Sequence, residues 1–85
     1  MDKAVMKRKR VVMECVEGML AANPELAAIA QAACDRGIEM GRAKEALGRA
    51  FLACLWYAAK EGTRGDANQD VADRFKIELG KEQAP

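Results

Sequence analysis

The chain contains no histidine and no serine, and Thr63 and Tyr57 are its only threonine and only tyrosine. Histidine is the commonest general base and the commonest metal ligand near neutral pH, and serine–histidine pairs carry much of nucleophilic hydrolysis. An enzyme built from Glu, Asp, Lys and Cys alone is conceivable, but no motif for one is present. The expectation is therefore a non-enzymatic protein with no catalytic residues, no cofactor and no metal.

Cysteine is scarce as well. Cys15, Cys34 and Cys54 are odd in number, stand 19 and 20 residues apart and include no Cys-x-x-Cys pair. That pattern fits free thiols in a reducing compartment better than a disulfide framework. Lys7–Arg10 followed by Val11-Val12-Met13 has the outline of a signal peptide, but Glu14 and Glu17 interrupt the apolar core that such a segment needs. A cytoplasmic location is expected.

Charge of one sign is absent overall. The net charge is +1, with 14 basic and 13 acidic residues in a chain of 85. It is nonetheless polarised. Within residues 1–10, Lys3, Lys7, Arg8, Lys9 and Arg10 face only Asp2, leaving +4, and the other nine bases and twelve acids leave −3. A bilayer-length hydrophobic run is also lacking. The longest is Ala50-Phe51-Leu52-Ala53-Cys54-Leu55-Trp56-Tyr57-Ala58-Ala59, ten residues where a membrane span needs about twenty. No membrane association is expected.

What is present reads as helices with short joints, and no segment alternates with period two for long enough to be a strand. Helix 1 is expected from Lys3 to Ala21, with Val5, Val12, Cys15, Val16, Met19 and Leu20 as its apolar stripe. Its first turns are basic, the wrong sign for the helix dipole, so fraying is expected there unless they meet a partner. Asn23-Pro24 reads as an N-cap followed by proline at the first helical position. Helix 2 then spans Pro24–Arg36 and turns Leu26, Ile29, Ala30 and Ala33 inward. Gly37 closes it, with Ile38 folding back on Ala33. Helix 3 starts within Glu39–Gly41 and runs to about Lys60. Gly62 and Gly65 form the next joint, and Asp66 with Gln69 reads as a capping-box variant. Helix 4 spans Ala67–Leu79, with Val71, Phe75 and Leu79 four residues apart, and Gly80 is expected to stop it. The result is an all-α, compact four-helix domain over residues 1–80, with short connections, helix 3 central and a flexible C-terminal tail over residues 81–85.

On helix 3, Met40, Ala43, Ala50, Phe51, Cys54 and Ala58 fall near Leu47 at about 100° per residue and form a core stripe. The opposite side carries Glu45 and Arg49, an i, i+4 ion pair, and then Leu52 and Trp56. Ten consecutive apolar residues cover every side of a helix, so this end must be shielded by the chain itself or by another chain. Either helix 4 or helix 1 covers Leu52 and Trp56, or they belong to a self-association or partner surface around Leu52, Trp56 and Tyr57. Tryptophan and tyrosine favour such surfaces because they bury much area and keep a polar handle. A homodimer or another protein partner follows from the second reading.

The alternative function is a nucleic-acid-binding regulator. Lys7, Arg8, Lys9 and Arg10 could contact phosphate. The helix–Gly37–helix spacing matches a loose helix-turn-helix, whose second helix would present Arg42 and Arg49. That spacing is undemanding, and no Ser, Thr, Asn or Gln occurs between Ile38 and Lys60 to read base edges. Glu14 and Glu17 read as a solvated acidic face. Cys15 and Cys54 read as buried small hydrophobes and Cys34 as the more exposed thiol, with Met6, Met13, Met19 and Met40 as adaptable core filler.

Overall fold

A computed structural model describes residues 3–62 and 67–83. The described residues form four α-helices and no strand: α1 (Lys3–Ala22), α2 (Pro24–Asp35), α3 (Met40–Glu61) and α4 (Ala67–Gln83). The capping box expected at Asp66 lies outside the described residues.

The short joints follow from local chemistry. Gly37 takes φ 101°, a conformation a side chain would strain. Its N–H donates to the Cys34 carbonyl at 3.0 Å, and the Ile38 N–H donates to the Ala33 carbonyl at 3.1 Å. This is the doubly bonded glycine cap, with Ile38 buried in the core. At the other joint Asn23 is extended and Pro24 opens α2, as expected, but the Asn23 side chain makes no capping bond. The backbone supplies the closure instead: Asn23 N–H donates to the Met19 carbonyl and its own carbonyl accepts from Ala27. With only Asn23 between α1 and α2, the residue is held by both helices and its side chain is not needed as a cap.

Helix direction can be read from shared neighbours. Leu26 and Val71, early in α2 and α4, line one small cavity. Arg36 and Glu82, at the far ends of the same helices, line one cleft. α2 and α4 therefore run the same way. α3 runs against α4, since Cys54 lies in the field of Asp70 and Arg74 while Arg49 reaches Glu78 and Glu82. α3 packs against all three other helices and is the central element.

α1 meets α3 where α3 has no side chain. A methyl group at Gly48 would stand 2.8 Å from Val12 Cγ1 and 3.6 Å from Val16 Cγ2, so the glycine permits a close crossing. Glu17 Oε1 accepts from Lys44 Nζ at 2.6 Å one turn away. α1 then ends beside α2, where Met19, Ala22, Asn23 and Leu26, with Val71 of α4, line an open pocket of about 190 Å³. The core is Val16, Leu26, Ala30, Ala33, Ile38, Ala43, Ala46, Leu47, Ala50, Val71, Ala72, Phe75 and Leu79. The alanines allow close helix approach and Phe75 fills the centre.

Four expectations are corrected. α4 passes through Gly80 to Gln83, because Lys81 and Glu82 are held by ion pairs to Glu78 and Arg49. That anchoring outweighs the modest helix penalty of one glycine, and the expected tail over 81–85 is helical as far as Gln83. Cys15 is exposed and Cys34 is half-buried, because the contact line of α1 runs through Val12 and Val16 and leaves Cys15 at its edge. Met40 and Met6 are exposed rather than core filler. Met40 opens α3, outside the packed stretch, and its Sδ meets Cys34 Sγ at 3.9 Å. Finally, Arg49 does not pair with Glu45 but with α4, as described next.

Candidate functional site

The C-terminal half of α3 carries four of the exposed large hydrophobic residues among those described. Leu52, Leu55, Trp56 and Tyr57 are 48%, 50%, 57% and 49% exposed. Leu52, Leu55, Trp56 and Ala59 recur at i, i+3, i+4 and i+7, so they form one longitudinal stripe. Neither α1 nor α4 covers it. The other side of the same turns, Phe51, Cys54 and Ala58, is half-buried and faces the start of α4, where Asp70 and Arg74 act on Cys54. Trp56 is partly organised in place. The Tyr57 ring meets it edge-on at 5.1 Å and 81°, and Lys60 Nζ stands 4.7 Å from its ring centroid, within cation–π range.

The residues of the nucleic-acid alternative do not converge. Lys7, Arg8, Lys9 and Arg10 are exposed on the first turns of α1. Arg42 lines an open cleft of about 520 Å³ with Arg36, Gly37, Ile38, Glu39 and Glu82. Arg49 is committed to α4: its Nε donates to Glu78 Oε2 at 3.3 Å and its Nη2 to Glu82 Oε1 at 2.6 Å. Those carboxylates hold its pKa above the ordinary guanidinium value against the opposing effect of burial.

One polar cluster is legible only in part from the sequence. Glu78 is the buried charged residue among those described, 4% exposed. Its carboxylate receives Arg49, Arg74 Nη2 at 3.1 Å and Lys81 Nζ at 3.1 Å. Burial pushes its pKa up, but hydrogen bonds from Lys81 and Arg49 and the charges of Lys81 and Arg74 outweigh burial and hold the carboxyl below its usual range. A carboxylate so held stays ionised near neutral pH and is unsuited to general acid–base work. It clamps α4 to α3. The Arg74 and Lys81 partners follow from i, i+4 and i, i+3 spacing; Arg49, 29 residues away, has no local signal.

The three thiols stand on three different helices. Burial, with the charge of Asp70, pushes the Cys54 thiol up and away from ready ionisation. No group of three His, Cys, Asp or Glu side chains placed to hold a metal occurs among the described residues. No described helix is long and apolar enough to cross a membrane. No known protein family, curated protein or solved structure matches the chain.

Proposed function

We propose that this chain is a small non-enzymatic helical module that self-associates as a homodimer through the C-terminal half of α3, in a reducing, cytoplasmic setting where its thiols stay free. The observation that carries this reading is the exposure of Leu52, Leu55, Trp56 and Tyr57, each about half accessible within six residues of one helix. Together they offer on the order of 400 Å² of apolar surface, in the range where a surface patch on a monomer is often functional. A stable interface takes roughly 800 Å² from each partner, so the patch supplies about half, at the centre where hot-spot aromatics belong. A second copy brings the same stripe, and an isologous pairing of two α3 helices covers both at once.

Light scattering across a concentration series tests this. A dimer is expected, with blue-shifted Trp56 emission on association, and Leu55→Asp or Trp56→Asp is expected to give a folded monomer. A wild-type chain that stays monomeric at high concentration with Trp56 open to quencher removes the proposal.

A further inference from the structure

We propose that the first turns of α1 are a binding site for the phosphate backbone of a nucleic acid. Lys3, Lys7 and Arg10 recur at i, i+4 and i+7 and share one face of α1, while Arg8 and Lys9 project from the other side of the helix. The Cβ atoms of neighbours on such a face stand about 5–6 Å apart, and the row suits a repeating polyanion better than one carboxylate. The face lies opposite Val12 and Val16, the residues that pack on Gly48, so it points away from the domain. Lys3, Lys7, Arg8, Lys9 and Arg10 are all exposed, and none enters an ion pair with another described residue. Glu14 and Glu17 continue the line of this face one and two turns on from Arg10, and Glu17 is taken up by Lys44 at 2.6 Å.

No acidic residue sits in the first turn to offset these charges against the helix dipole. A phosphate backbone supplies that missing charge and releases counterions in doing so. α1 has no Ser, Thr, Asn or Gln, so the contacts go to phosphates and not to base edges, and binding is independent of sequence. An anionic bilayer fits less well. The exposed apolar residues described on α1, Met6 and Val11, are five positions apart, about 140° around the helix, so they do not combine into one face for lipid.

The test is fluorescence anisotropy of a labelled DNA duplex of arbitrary sequence, titrated with the full chain at stepped salt. The expected logarithmic salt slope is about −3, for the roughly three phosphates neutralised by Lys3, Lys7 and Arg10. The variant carrying Lys7→Gln, Arg8→Gln, Lys9→Gln and Arg10→Gln keeps its helix, since glutamine is a comparable helix former, and circular dichroism checks this. It is expected to bind at least about tenfold more weakly at low salt, with a slope near −1. Absence of wild-type binding at low salt overturns the proposal. So does a variant that binds like the wild type, or binding to vesicles of equal phosphatidylcholine and phosphatidylserine without binding to the duplex.

Discussion

Replacing Gly48 by alanine separates two opposing effects that the fold places at one position. In a helix interior, alanine is favoured over glycine by about 1 kcal/mol. At Gly18, where a new methyl group meets nothing within 4 Å, that gain stands alone. Gly18→Ala is therefore expected to stabilise by about 1 kcal/mol, or roughly 5 °C in the melting midpoint of a domain of this size. At Gly48 the methyl would stand 2.8 Å from Val12 Cγ1, well inside the 3.5–4.0 Å of an ordinary carbon contact. Val12 is β-branched and stiff, so it relieves the overlap only if α1 shifts. Overpacking of this kind costs about 1–3 kcal/mol, which leaves Gly48→Ala destabilised by about 1 kcal/mol despite its better propensity. In a Val12→Ala background the obstacle is gone, and Gly48→Ala is expected to stabilise, a coupling of about 2 kcal/mol in the double-mutant cycle. Urea and thermal unfolding of the four proteins, with unchanged m-values, measures this. If Gly48→Ala stabilises as much as Gly18→Ala, α1 does not cross α3 at that residue and the derived packing is wrong.

Further outcomes follow from the same contacts. Gly80→Ala is expected to stabilise by up to about 1 kcal/mol because α4 runs through this position; a neutral result in chemical denaturation would mean that the helix ends there. Glu78→Gln is expected to destabilise by about 2 kcal/mol, less than the 3–5 of a fully buried broken pair, because Arg49 and Lys81 are exposed enough to return to water. The pH dependence has a definite sign. A carboxyl held low stabilises fully above its unfolded value of about 4.3, and that contribution is lost as the pH falls from there through the depressed folded value. Acid unfolding curves of wild type and Glu78→Gln are expected to converge as the pH drops; parallel curves count against the clamp. Thiol labelling near neutral pH is expected to modify Cys15 fastest and Cys54 slowest, read by mass spectrometry of digested samples, since Cys15 is open and burial raises the Cys54 thiol.

Helix positions were legible because the signals are local. Gly37 with Ile38 needs only six residues to specify a cap, and Val71, Phe75 and Leu79 mark the buried line of α4 by spacing alone. Asn23 was legible as a boundary but not as a mechanism: the residue sits at the cap while the backbone makes the bonds. Gly80 was misleading for a related reason. A glycine does not stop a helix when the turn beyond it is held in helical position, and Glu82 is held by an arginine 33 residues earlier in the chain. The same long-range pairing took Arg49 from Glu45, a partner on its own helix, to two carboxylates on α4. Spacing along one helix cannot show which competing partner arrives from elsewhere.

The exposed end of α3 has the same origin. Ten apolar residues in succession require a cover, and a helix that ran alongside α3 for its whole length would provide it. α1 is long enough, at 20 residues, but Gly48 draws Val12 and Val16 into a close crossing near the middle of α3. α1 then ends against α2, facing α4 across a small pocket, and Met6 and Val11 in its earlier turns are exposed. α4 reaches only the Phe51, Cys54 and Ala58 side. The stripe of Leu52, Leu55, Trp56 and Ala59 is left bare by the route α1 takes, not by a shortage of chain. Moving α1 alongside that stripe would sacrifice the close contact at Gly48 and the Glu17–Lys44 pair, whereas the proposed second copy would cover it and leave both intact.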